Sequence, residues 1–389
     1  MEKVFHTHVR AGGLNKFYTY ICSAGVLILF TLLFFTGAGR NQSLNDDLSN
    51  SVLNRTLGFQ KIFVLSLRSA TNRRDAFSLG ASLTGFDVEY IDGVTDFDAE
   101  KALPSHPEKG PTHSNGDPLQ AANYGSWRAH MNAIRAIVEQ NLSSALIIED
   151  DSDWDIRLKS QLEVFAAGAR ALVQPVKGSQ DTFLDPSNPR SSKEERYVDI
   201  DIKTAAGKTL DPVSSPYGDL DRWDMMWIGN CGSGLPPSDK DIPLGRIIIP
   251  NDETVAELQH FHPGYGDKLA AYPNHTRVIS WARGTVCNLA YGVSLPGARR
   301  FLYDMGVHNM TSSTDTMLRQ ICDGENGRTR RKCATVNPPL FNHHRNGKGH
   351  IPFTRNIRWS TMLNLEKLVD GKTDYIDLWK DGEPLPKGV

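Results

Sequence analysis

Ala145-Leu-Ile-Ile-Glu149-Asp150-Asp151-Ser152-Asp153 is the stretch that decides the fold. An unbroken apolar run leads straight into four carboxylates within five positions. A short continuous apolar run marks a strand buried on both faces, and such a strand needs helices on both sides. In open α/β sheets, ligands bind outside the carboxyl ends of the strands. Carboxylates crowded there repel one another unless a cation sits among them. A hard divalent ion with oxygen ligands, Mg²⁺ or Mn²⁺, suits such a cluster and also holds substrate phosphates. The plainer alternative is a solvated acidic turn.

The flanking sequence agrees with an α/β domain. Residues 124–141 predict a helix, with Trp127, Met131, Ile134 and Val138 on one face and Arg128, Asn132, Arg135 and Glu139 opposite. Apolar runs at 62–67, 86–91, 224–229 and 287–293 predict further strands, and a helix is expected from Asn72. Ser294-Leu-Pro296 opens another helix, with proline where a first turn tolerates it. Strands alternating with helices imply a mostly parallel sheet flanked by helices. Residues 98–120 read as loop, and 174–222 as a polar insert of loops. No internal repeat is present.

With 389 residues, 39% hydrophobic and 23% charged, the chain is long enough for a sizeable core and is neither collagenous nor disordered throughout. A net charge of −2 leaves no electrostatic footprint for nucleic acid. The average conceals an uneven start. Residues 17–39 carry no Asp, Glu, Lys or Arg, which is the length of a membrane-spanning helix. A cleaved signal peptide, with Thr36-Gly-Ala-Gly39 as its small-residue site, is the alternative. Lys3, Arg10 and Lys16 precede the span, so the expected topology is a cytoplasmic tail (1–16), an anchor (17–38), a stem (39–58) and a lumenal domain (59–389). Five Asn-x-Ser/Thr sequons, at Asn41, Asn54, Asn141, Asn274 and Asn309, all follow the span. Beyond Cys22, four cysteines remain, at 231, 287, 322 and 333, in an oxidising setting. They allow three pairings, of which Cys322–Cys333 is the local one, and no C-x-x-C spacing signals zinc.

Anchor, stem and an apolar strand ending in carboxylates together resemble a Golgi-type glycosyltransferase. Phe63-Val-Leu-Ser-Leu-Arg68-Ser-Ala-Thr-Asn-Arg73-Arg74 resembles the opening strand and arginine pair of glycosyltransferase family 25. Gly125-Ser-Trp-Arg-Ala-His130 followed by Ala145-Leu-Ile-Ile-Glu-Asp-Asp151 resembles its central block, and Cys287-Asn-Leu-Ala-Tyr-Gly-Val-Ser294 its later one. The family includes bacterial lipooligosaccharide and collagen galactosyltransferases, and the 174–222 insert is most similar to fungal members. The resemblance implies a GT-A-like fold, a UDP-sugar donor, a glycan or glycoprotein acceptor and inversion at the anomeric carbon. It implies Golgi or endoplasmic reticulum membranes as the location.

Under that resemblance, the frames Glu149-x-Asp151 and Asp151-x-Asp153 both fit an Mn²⁺- or Mg²⁺-holding motif. Asp151 is the leading ligand, with Asp153 either a second ligand or a helix cap, and His343 a late histidine ligand. Arg68 and Arg73 are expected at the donor phosphates, with Glu149, Asp150 and His130 beside them. Asp92 either accepts from uridine or simply forms the Asp92-Gly93 turn. His130 otherwise reads as a hydrogen-bonded core histidine. Asp315 is the first candidate base, or else a helix N-cap, and Asp224 is the second. A metal-dependent lumenal phosphoester hydrolase needs the same carboxylates, and a non-catalytic carbohydrate-binding relative is the third reading.

Overall fold

The computed structural model describes residues 48–384, apart from 97, 99–101, 105–109, 114, 190–196, 237–240, 262–265 and 345–355. The expected tail, anchor and Asn41 lie outside the described residues. Among the described residues, no helix is long and apolar enough to cross a membrane.

The strands are β1 (Lys61–Ser66), β2 (Glu89–Asp92), β3 (Ser144–Glu149), β4 (Ser152–Trp154), β5 (Val198–Asp201), β6 (Met225–Gly229), β7 (Gly232–Gly234), β8 (Gly245–Ile249), β9 (Arg277–Trp281), β10 (Arg283–Val286), β11 (Ala290–Ser294), β12 (Cys333–Asn337) and β13 (Phe341–His343). The main sheet runs β2-β1-β3-β11-β6-β12-β9-β8-β5, with β13 joined to β6 and β4 to β13. Seven of the nine strands on that path point the same way, and β11 and β9 reverse. β7 and β10 form a separate antiparallel pair.

The apolar runs read from the sequence behave as buried strands for a simple reason. Successive side chains leave a strand on opposite faces. Ile62 and Val64, with Leu146 and Ile148, enter one core, while Phe63 and Leu65, with Ala145 and Ile147, enter the other. Each large side chain so buried stabilises the fold by about 1.5–3 kcal/mol. The first core is covered by α1 (Thr71–Thr84) and α3 (Leu158–Val173), through Phe77, Leu162 and Phe165. The second is covered by α2 (Ala121–Glu139), α4 (Leu295–Phe301) and α5 (Thr314–Asp323). Trp127, Met131, Ile134 and Ile137 of α2 are fully buried there.

Three sequence expectations change. The packed unit starts at Leu48, not at 59, because Val52 and Leu57 of the expected stem enter the first core. The polar insert is not only loops: it supplies β5, which pairs with β8 at the sheet edge. It also supplies Tyr217, which stacks on Phe59 at 4.8 Å and donates to the Leu57 carbonyl at 2.6 Å. The strand expected from 287 begins at Ala290, since Cys287 has φ +60° and is tied by a disulfide. The cysteines pair as Cys231–Cys287 and Cys322–Cys333, the second being the local pairing expected.

Candidate active site

The acidic turn stands where β1 and β3 end side by side. Its backbone continues the ladders: the Asp150 N–H donates to Leu65 O at 3.1 Å, and the Glu149 N–H to Leu289 O at 2.9 Å. The chain then reverses into β4, which pairs with β13 and brings His343 alongside.

Each carboxylate has a different setting. Asp150 accepts from the Ser66 hydroxyl at 2.7 Å and from the Arg73 guanidinium at 2.9 Å. Asp151 has an oxygen 3.5 Å from His343 Nδ1. Burial pushes the Asp151 carboxyl up, but His343 and Arg73 outweigh it and hold it below the ordinary carboxylate value. Glu149 lies 3.1 Å from Nε2 of the buried His130, whose Nδ1 meets the Tyr291 hydroxyl at 2.7 Å. Asn288 Nδ2 lies 2.9 Å from the same ring nitrogen, His130 Nε2.

Two cavities meet at this turn. One of about 850 Å³ lies between the end of β1, residues 93–95 and the first turns of α2, with His130 and Glu149 in its wall. The other, of about 480 Å³, lies between α1, Ser152, His344 and Met362. Both are walled by Arg73, Asp150 and Asp151. Gly125 lets the Val94 backbone close against α2 in the wall of the first, because a Cβ there would stand 2.3 Å from Val94 O.

The other expected residues divide. Arg68 is 84% exposed and pairs with Asp92, outside both cavity walls. Asp92 also accepts from Arg74 at 2.6 Å, and these two arginines hold its carboxyl below the ordinary value. Arg74 is a pin, donating to Ser66 O at 2.9 Å and lying over the Tyr90 ring. Asp315, in the first turn of α5, accepts from Ser313, from its own helix at Thr316 and from the Cys287 N–H at 3.3 Å, which puts it on the margin of the site. Two expectations fail on geometry. Asp224 precedes β6 at the opposite end of the sheet, held by Arg300 and by the Lys332 N–H at 2.8 Å. Asp153 is fully buried, its oxygens taken by Ser360 and by the N–H groups of Trp154 and Met362. Three of the described sequon residues, Asn54, Asn141 and Asn274, are exposed, and Asn309 is half-buried.

Residues 59–212 match the model of glycosyltransferase family 25 (LPS biosynthesis protein). That segment carries the arginine and carboxylate blocks, and the matched family is one of glycosyltransferases. No individual curated protein matches the chain. The family 25 segment carries Arg73, His130 and the whole acidic turn; Asn288, Tyr291, Asp315 and His343 are brought to it by the fold. Ser66, Asn288 and Tyr291 escaped the sequence reading, although the latter two stand in the Cys287–Ser294 block and Ser66 ends the first strand.

Among the described residues at the acidic turn, Asp151 and His343 are the donors left open toward a divalent cation. Asp151 offers an anionic oxygen, and the adjacent His343 Nδ1 is buried with no hydrogen-bond partner. Asp150 and Asp153 have their oxygens committed to other donors.

Proposed function

We propose that the protein transfers a sugar from a UDP-sugar to a glycan or glycoprotein acceptor, with inversion, using Mn²⁺ or Mg²⁺. The observation that carries this reading is the pair of cavities sharing Arg73, Asp150 and Asp151 at the strand ends. One cavity is large enough for a nucleotide, and the second adjoins it across the charged divide.

Asp151 and His343 would hold the cation, which when bound supplies positive charge against the leaving diphosphate. Arg73 is half-exposed and rests on Asp150; turned outward, its planar fork can pair with phosphate oxygens. His130 keeps Glu149 turned toward the larger cavity, with Asn288 and Tyr291 fixing the ring. Asp315 is the candidate base for the acceptor hydroxyl. The disulfides and the exposed sequons support a lumenal setting, and galactose is favoured only by the family resemblance.

The test uses the full-length protein with a panel of UDP-sugars, Mn²⁺ and acceptor glycans. UDP release that depends on one donor and disappears with EDTA is the expected result. Phosphoester turnover without preference among sugar nucleotides would mean a hydrolase. A folded protein that binds glycans but releases no UDP would mean a non-catalytic relative.

A further inference from the structure

The Cys231–Cys287 disulfide ties the end of β6 to the loop before β11. That loop braces the acidic turn. Its Leu289 carbonyl accepts from the Glu149 N–H at 2.9 Å and from the Ser152 hydroxyl at 3.1 Å. Its Asn288 holds His130, and its Cys287 N–H reaches Asp315.

His343 stands against the same disulfide. One of its ring nitrogens and the two sulfurs all lie within 4.8 Å of one another. Two sulfurs and an imidazole form a zinc donor set once the sulfurs are thiolates. The two disulfides of the protein also differ in access. Cys322 and Cys333 are 3% and 2% exposed, while Cys231 and Cys287 are half-buried. Thiol–disulfide exchange needs an accessible sulfur, so a mild reductant reaches the second pair first.

We propose that Cys231, Cys287 and His343 form a redox-gated Zn²⁺ site. A dithiol gives two electrons and two protons to the sulfur–sulfur bond and leaves as its own cyclic disulfide. Zn²⁺ then binds both sulfurs and His343, and the two thiol protons pass to solvent. The sulfurs turn to about 3.8 Å apart, the spacing of two ligands each about 2.3 Å from a tetrahedral ion. Water takes the fourth position. Capture removes His343 from Asp151 and shifts the brace under the acidic turn, so it stops sugar transfer. This last consequence rests on the function proposed above; zinc binding itself does not.

The experiment treats the full-length protein with a mild dithiol, maps the freed cysteines by alkylation and mass spectrometry, and measures bound Zn²⁺ with a chromogenic chelator. One Zn²⁺ per chain is expected only after reduction, with Cys231 and Cys287 then shielded from alkylation. His343→Ala should weaken binding by at least about 100-fold, since even groups standing behind a ligand are worth 10–100-fold. Equal zinc uptake before and after reduction, or alkylation of both cysteines undiminished by zinc, overturns the site. Full UDP release by the zinc-loaded reduced protein overturns the gating alone. An oxidised protein that releases no UDP, yet binds zinc when reduced, leaves the site standing and removes the transferase reading.

Discussion

Glu149, Asp150 and Asp151 face the cavities, whereas Asp153 and Asp155, only a few residues further on, are fully buried. The first group meets side chains at the cavity walls: Arg73, His343, His130 and the Ser66 hydroxyl. The second is bound by fixed donors from 359–362 and from the chain just ahead. The chain reverses at Ser152, and that reversal turns one acidic run into a site and a structural joint. An Asp-x-Asp spacing therefore does not by itself name two ligands. Under the function proposed above Asp151 is the ligand, whereas Asp153 fastens the C-terminal segment to β4.

The sharpest way to break this contrast is Asp151→Asn. Donor-dependent UDP release should fall by about 1,000-fold, roughly 4 kcal/mol of barrier, while the melting temperature moves by less than about 3 °C. Retained turnover would remove Asp151 from the chemistry. Asp153→Ala should do the converse. Stranding the Ser360 hydroxyl and two N–H groups costs about 3 kcal/mol in urea melts, with activity per folded molecule kept; loss of activity at unchanged stability would merge the two groups again.

A smaller effect is expected at the divide between the cavities. Arg73→Gln should weaken UDP binding about tenfold, near 1.4 kcal/mol by calorimetry, and Arg68→Gln much less, because Arg68 is 84% exposed and outside the walls. Equal effects would place the nucleotide over Asp92 instead. The smallest effect lies in acid titration of the buried group. Burial holds the Asp155 carboxyl above its ordinary value, against hydrogen bonds from Arg157 and Trp359. A raised carboxyl contributes fully below its unfolded pKa, about 3.9, and loses that contribution as pH rises toward the folded value. The stability advantage of wild type over Asp155→Asn should therefore shrink as pH rises above about 4. An advantage that grows instead would mean that Arg157 keeps the carboxylate ionised.

Much of the sheet was legible because β1, β3 and β6 are apolar runs and α2 carries a clean helical stripe. β8, β9 and β12 were not foreseen. Arg246, Arg277 and Thr335 put polar side chains into these strands, and their partners include the distant Tyr272, Asp252 and Trp227. The start of the folded unit was also misplaced. Val52 and Leu57 sit among Asn, Ser and Arg, and their burial depends on a surface built by α3 and the insert.

At the site, the sequence by itself determined which chemistry was available: a strand ending in carboxylates, an arginine pair and a helix carrying His130. Those signals are local, set by periodicity over a few residues. Only the tertiary structure decided which groups meet. It placed His343 beside Asp151 and Asn288 beside His130, and sent Asp224 to the far end of β6. The physical reason is separation along the chain. Contacts between residues 158 or more positions apart follow from strand order and from the turn at Ser152, and no local pattern encodes either.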